Sequence, residues 1–401
     1  MKVLLIAPTC DGEDVGEAWV AYQWAHGLAQ RHDVTLLTYN KRSAKPASQQ
    51  LEGLRIVEWS EPPILGRAER LNSLLKPGYV AFYMRARSWI RRALAENEHF
   101  DVAHQPVPVG MRYPSPCAGL GIPYVIGPVG GGLANPAAFE VVDTSAPWYM
   151  RLRGLDAYRR RWDPLLRRTY EDAACVVGIA PYVRDLLADY SLKRFETMSE
   201  TGLRSVPEPI DRSDRAGPVR LLFVGRLVRT KGAREAIRAM AGTADLATRL
   251  DIVGDGPDRG MCESMIADLN LGDRVTMHGW KTKAQVAQFY IDADAFVFPS
   301  YREPGGNVAP EAMGYSLPLI VVDRGGPGAA TTDDCAIRLP VATPEALARD
   351  VAAAIRKLVA DPALRRRMGV ASYDHVKRTA LWPAKFDRMG EIYEEIAASG
   401  S

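Results

Sequence analysis

Short runs rich in Val, Ile and Leu, each followed by a longer helical pattern, constrain this 401-residue chain more than any other feature. KVLLIAP, DVTLLTY, DVAHQ, PYVIGP and ACVVGI occur in the first half, and VRLLFVGR, LDIVGDG, RVTMHGW, AFVFPS and PLIVVD repeat the grammar in the second. Runs this apolar suit strands buried on both faces, and their alternation with helices predicts parallel sheets covered by helices on either side. One hydrophobic core rarely serves so long a chain, so the reading is two similar α/β domains. The stretch SVPEPIDRSDRAGPV (205–219), with three prolines and a glycine, marks the junction. The expected division is 1–210, 211–375 and a helical tail, 376–401, which follows the Thr343 start of a long helical pattern.

Several function classes drop out early. Basic and acidic residues number 51 and 48, too even a balance for nucleic acid to be the main partner. The five cysteines (Cys10, Cys117, Cys175, Cys262, Cys335) are scattered and never spaced C-x-x-C, which suits a reducing cytoplasm and argues against a disulfide framework or a zinc site. MKVLLIAPTC is too short in its apolar part for a signal peptide and reads as a first strand. No run of 18 apolar residues occurs, so no spanning helix is expected, while surface association with a membrane stays open. A G-x-G-x-x-G dinucleotide fingerprint is missing after the first strand.

In an open parallel sheet, ligands bind at the carboxyl ends of strands. Four loops there carry unusual residues: FVGRLVRTKG with Arg226 and Lys231, IVGDGPD with Gly254 and Gly256, HGW with His278, and FPSYREPGGNVAPEAMG with Glu303 and Glu311. Gly305 and Gly306 suit a turn feeding a helix that begins near Asn307 to Pro310, where free N–H groups favour an anion such as a diphosphate. Arg226 and Lys231 add full positive charge and stand in for a divalent metal. Carboxylates would repel phosphates but accept well from vicinal hydroxyls. Glu303 and Glu311 are therefore read as the two ends of a clamp around a nucleotide sugar. The glycines of VGDGPD fit a tight turn equally well.

These motifs, in this order, closely resemble the second domain of the family 4 retaining glycosyltransferases of GT-B fold, whose E-x7-E pattern maps onto Glu303 and Glu311. The likeness extends to DVAHQ in the first half and to WPAKFDRMGEIYEEI near the end. The resemblance implies two Rossmann-like doubly wound domains facing a central cleft, with the donor held mainly by the second, the acceptor mainly by the first, and a last helix returning to the first. It implies that Arg226 and Lys231 bind the diphosphate, Glu311 the ribose and Glu303 the transferred sugar. Backbone groups of Gly305, Gly306, Asn307 and Val308 would complete the cradle. It also implies metal-independent transfer with retention on one face of the sugar, the leaving phosphate oxygen helping to deprotonate the acceptor hydroxyl. Uridine is the expected base, on family frequency alone.

The first domain departs from that pattern. Many relatives carry a Gly-Gly pair after the first strand, where this chain reads PTCDGEDVGEAW, with Gly12 and Gly16 apart and acids around them. This loop is assigned to the acceptor side. A loop histidine of many relatives is replaced by PVGGG, so the N–H groups of Gly130 and Gly131 are expected to take its place. His104 reads either as a packed histidine or as a catalytic one. The stretch 148–172 interleaves arginines with Trp148, Tyr149, Tyr158 and Trp162 and reads either as a solvated helix broken at Pro164 or as a surface for anionic lipid.

The resulting expectation is a cytoplasmic glycosyltransferase, either free or peripheral to the inner face of a membrane, acting on a hydroxyl of a glycan, glycolipid precursor or small natural product. The rivals are a nucleotide-sugar 2-epimerase of the same architecture and a non-catalytic nucleotide-sugar-binding subunit.

Overall fold

A computed structural model describes residues 1–40, 45–61, 78–142, 159, 161–212 and 215–399. The chain divides into two compact units, one of Met1–Gly132, Pro147–Gly202 and Trp382–Ser401, the other of Leu133–Ala146 and Leu203–Leu381.

The first unit is a parallel sheet ordered β3-β2-β1-β4-β5-β6-β7. Its strands are β1 (Lys2–Thr9), β2 (Asp33–Asn40), β3 (Arg55–Ser60), β4 (Val102–Gln105), β5 (Tyr124–Val129), β6 (Cys175–Gly178) and β7 (Phe195–Thr197). Along β1 the side chains alternate between two cores: Val3, Leu5 and Ala7 enter one, Leu4 and Ile6 the other. This is why the run reads as continuously apolar. Helix α1 (Glu17–Ala29) covers the first face through Val20, Trp24 and Leu28. Helix α2 (Gly78–Ala95) covers the second through Phe82, Ala86 and Ile90, followed in the chain by α3 (Pro164–Glu171) and α4 (Tyr182–Leu186). The helical run breaks where expected: residues 161 and 162 are helical, Asp163 is not, and Pro164 opens α3 at its first position, with the Asp163 carboxylate accepting from Leu165 and Leu166 amides.

The second unit is a parallel sheet ordered β10-β9-β8-β11-β12-β13. Its strands are β8 (Val219–Val224), β9 (Thr248–Val253), β10 (Val275–Gly279), β11 (Ala295–Phe298), β12 (Leu319–Val322) and β13 (Ala336–Leu339). Between them run α5 (Ala233–Ala241), α6 (Arg259–Asp268), α7 (Lys283–Asp292), α8 (Val308–Gly314) and α9 (Gly325–Ala329). Two longer helices, α10 (Pro344–Ala360) and α11 (Pro362–Thr379), follow β13. Thr343 caps α10 by accepting from Ala346 N–H. Asp361 and Pro362 split the single helical pattern of the sequence into two helices.

The division differs from the expected one in three places. Residues Leu133–Ala146 group with the second unit, because Phe139 is fully buried in its core, with ring centroids 4.0 Å from Tyr301. The junction falls at Leu203 rather than residue 211, since Leu203 forms a β-bridge with Leu381 and its amide donates to Ala380. The returning segment starts at Trp382, which opens helix α12 (Trp382–Ser399). Phe386 of α12 sits where Gly27 of α1 has no side chain; a Cβ there would lie 2.0 Å from its ring. Among the described residues no helix is long and apolar enough to cross a membrane.

Candidate functional site

Strands β8 and β11 are neighbours in the second sheet, so the loops leaving their carboxyl ends meet. The contact is close enough to demand glycine: Gly232 has φ 79°, and a Cβ on it would lie 2.2 Å from the Pro299 carbonyl oxygen. Ser300 Oγ donates to Thr230 O at 3.0 Å and ties the loops further. A buried ion pair fixes the first loop from below, Arg229 donating to both oxygens of Glu235 at 2.8 and 2.6 Å. The Arg229 guanidinium also lies over the Phe139 and Tyr301 rings, at 5.8 and 5.5 Å. Arg226 and Lys231 are thus carried on a loop with little freedom.

Lys231 Nζ makes an ion pair with Glu303, and the other Glu303 oxygen accepts from Gly306 N–H at 3.3 Å. The pair is largely sheltered, with 19% and 15% of the two side chains exposed. Burial first, then the charges of Arg226 and Arg302, bring the Lys231 ammonium down to about 8. Arg226 and Arg302 therefore lie near the ammonium, while among the described residues only Lys231 is within ion-pair distance of Glu303. A fourth cation, Arg324, stands beside Arg302, and burial and that neighbour lower its pKa. The backbone of Glu303 is gripped from the same side: its carbonyl accepts from Gly326 N–H at 2.8 Å, and a Cβ on Gly325 would lie 2.3 Å from it.

Glu311 lies on α8, half-buried, with the Tyr290 hydroxyl donating to it at 3.4 Å. Burial raises its pKa, while Lys283 and the Tyr290 bond act the other way. Gly306 (φ 72°) makes the turn into α8, whose cap is Asn307 and whose first residue is Val308. Opening amides of a helix have no partner within it. The structure therefore gathers Arg226, Lys231, Glu303, Gly305 and Gly306 on adjoining loops, with Glu311 one helical turn beyond Val308.

Other expected residues serve packing. Gly254 and Gly256 do not offer free amides: they donate to Gly279 O and to Asp255 Oδ1, and a Cβ at either would lie 1.9 Å from Gly225 O or 2.3 Å from Leu227 O. They let the loops after β8 and β9 touch. His278 Nε2–H donates to the Asp251 carboxylate at 2.6 Å, and the ring packs on Phe289. In the first unit, His104 is completely buried. Its Nε2–H donates to Gly127 O at 2.7 Å, so Nδ1 accepts from the Tyr393 hydroxyl at 2.6 Å. Burial takes its pKa down to about 4, opposed by the Gly127 bond. It pins β4, β5 and α12 together, with both ring nitrogens engaged within the unit. Gly130 and Gly131 amides are already spent on Val109 O and the Tyr182 hydroxyl, and that of Gly12 on Gln50. They do not replace a loop imidazole. Gly16 (φ 66°) opens α1 with no atom near the place of its absent Cβ.

Sequence reasoning missed Arg302, Arg324, the Arg229–Glu235 pair and Lys385. Arg302 donates to Asn135 Oδ1 at 3.3 Å and Arg324 to Ala134 O at 2.9 Å. Lys385 is buried on α12, donating to Ser199 O and Oγ at 2.7 and 2.6 Å. Burial pulls it down to about 7 against the opposing charge of Glu200. Of the basic stretch, Trp148, Tyr149 and Tyr158 lie outside the described residues, and Trp162 is exposed.

Two family models match the chain: "Glycosyltransferase Family 4" over residues 16–198 and "Glycosyl transferases group 1" over residues 210–375. Lipopolysaccharide core biosynthesis glycosyltransferase LpsD of Rhizobium meliloti is 33% identical over 57% of this chain and 66% of its own length, just under two thirds. D-inositol 3-phosphate glycosyltransferase of Nocardiopsis dassonvillei is 27% identical over 77% of this chain and 73% of its own. Among solved structures, Anabaena Alr3699/HepE in complex with UDP superposes with a TM-score of 0.63 at 14% identity, covering 98% of this chain and 100% of that one. With two parallel-sheet units and both family models in sequence order, the chain belongs to glycosyltransferase family 4 and has the GT-B fold.

Proposed function

We propose that the protein is a retaining glycosyltransferase that moves a sugar from a nucleoside diphosphate sugar, with uridine as the base, to a hydroxyl of a glycan, glycolipid precursor or small natural product. The observation that carries this reading is the convergence of Arg226, Lys231 and Glu303 on the loops after β8 and β11. Fixed cations on anchored loops are suited to the charge that develops on a departing diphosphate. The UDP bound by the Anabaena neighbour supports a nucleotide donor.

In this reading the donor's diphosphate takes Lys231 as a second partner beside Glu303, and Arg226 supplies the other charge. The amides of Gly305, Asn307 and Val308 add hydrogen bonds, while that of Gly306 holds Glu303 in place. Glu311 accepts from the ribose hydroxyls and Glu303 from those of the sugar. The bond from the anomeric carbon to the phosphate oxygen breaks, the bond to the acceptor oxygen forms on the same face, and the acceptor proton goes to the leaving phosphate. No protein nucleophile and no metal is needed, and loops of the first unit around Gly12 and Gly16 meet the acceptor. The reaction belongs on the cytoplasmic side, where nucleotide sugars are used.

Incubation with labelled UDP-sugar tests the assignment. A transferase hydrolyses the donor slowly and passes the sugar on when acceptor is present, with activity kept in excess chelator. Interconversion of the sugar without acceptor would establish an epimerase, and an intact donor under every condition would establish a binding subunit.

A further inference from the structure

The charges around Glu303 do not balance for a neutral sugar. Arg226, Lys231, Arg302 and Arg324 bring four positive charges and Glu303 one negative, leaving three. A diphosphate bridge, at about one charge per phosphate, neutralises two. Neither Arg302 nor Arg324 has a carboxylate partner among the described residues. Each guanidinium has five N–H donors. Arg302 uses one on Asn135 and Arg324 one on Ala134, and both side chains are half-buried. Cations withdrawn from water without a counter-charge are costly, and a fork of unclaimed donors matches a planar oxyanion. The crossover segment Leu133–Ala146 holds the two forks in place, since Asn135 and Ala134 accept from them and Phe139 anchors the segment in the core.

We propose that the transferred sugar is itself an acid, a hexuronate whose carboxylate is received by Arg302 and Arg324 next to Glu303. This rests on the donor reading above and names its substrate class. The hydroxyls that Glu303 accepts from and the carboxylate on the adjoining carbon of a hexuronate lie side by side. Arg302 precedes Glu303 in the chain, and Arg324 precedes the glycines that pack on its backbone, so the backbones of both arginines run beside that of Glu303.

Binding of UDP, UDP-glucose, UDP-glucuronate and UDP-galacturonate is to be compared by calorimetry in the full chain and in its Arg302→Gln, Arg324→Gln and Asn135→Ala variants. The expected result is that at least one uronate binds about ten- to a hundredfold tighter than UDP-glucose, the range for hydrogen bonds to a charged group. Either arginine variant then loses most of that preference while its affinity for UDP stays within about twofold, and Asn135→Ala, which keeps both charges, retains most of it. The proposal is overturned if neither uronate is preferred over UDP-glucose, or if the arginine variants weaken UDP as much as the uronate, which would assign these side chains to the diphosphate. Equal loss in Asn135→Ala and Arg302→Gln would overturn it too, by showing that Arg302 serves the crossover segment. Failure of UDP itself to bind the unmutated chain would instead remove the donor reading.

Discussion

The two units use the same architecture and treat their titratable groups in opposite ways. In the first, His104 and Lys385 are buried with their donors and acceptors met by Gly127, Tyr393 and Ser199. In the second, Arg302 and Arg324 have most of their donors unclaimed among the described residues, and Lys231 pairs with Glu303 while the charges of Arg226 and Arg302 stand near it. A satisfied buried polar group stiffens a fold, whereas a half-satisfied cation is an invitation to an anion. On the proposed reading, the difference separates the residues that hold the molecule together from those that receive the donor.

The strongest blow to that separation comes from beneath the donor loop. Glu235→Ala leaves Arg229 charged and buried without its partner, a loss of about 3–5 kcal/mol in a thermal or urea unfolding measurement. A loss under 1 kcal/mol would mean that the pair does not anchor the loop. Lys231→Ala should lower turnover by about 10² to 10³ with little change in stability, the cost of one preorganised charge-stabilising donor. With its pKa at about 8, Lys231 is charged below that pH and neutral above it. Donor kcat/KM should therefore fall as pH rises through 8, and Lys231→Arg should move that limb upward because a guanidinium keeps its charge. Limbs that coincide in both proteins would exclude Lys231 as the titrating group.

Smaller effects belong to the first unit. Lys385 titrates at about 7 folded and near 10.5 unfolded. Between these values the unfolded chain binds a proton that the folded one lacks, so stability relative to a Lys385→Met variant rises with pH across that window. A flat difference would show that the buried ammonium keeps its proton. Tyr393→Phe removes the hydroxyl that His104 Nδ1 accepts from, and stability should fall by about 1 kcal/mol with turnover unchanged. A large drop in turnover would return His104 to the reacting groups.

The candidate site of the second unit was readable in the sequence because its parts are local. Arg226 and Lys231 stand five apart after one strand, and Glu303 and Glu311 stand eight apart after another, each beside glycines that a close loop contact requires. Period-two burial in β1 explains why the strands were visible as runs. What escaped was long-range or irregular. Strand β3 (RIVEWS) is exposed at its ends and half-buried between, and β7 is three residues long, so neither forms an apolar run. The segment GLANPAAF has no periodicity, and only the pocket around Tyr301 and Arg229, supplied from far along the chain, gives Phe139 a core to enter. Arg302 and Arg324 are 22 positions apart, and nothing in the sequence says that β11 and β12 lie side by side. For His104, a strand-end histidine looks alike in sequence whether it faces solvent or Tyr393.

Amide hydrogen exchange with and without saturating UDP tests the central claim most directly. The account predicts slowed exchange in 226–232 and 303–308, with 12–16 and 127–132 of the first unit unchanged. Protection of the first-unit loops alone, or no protection anywhere, would contradict it.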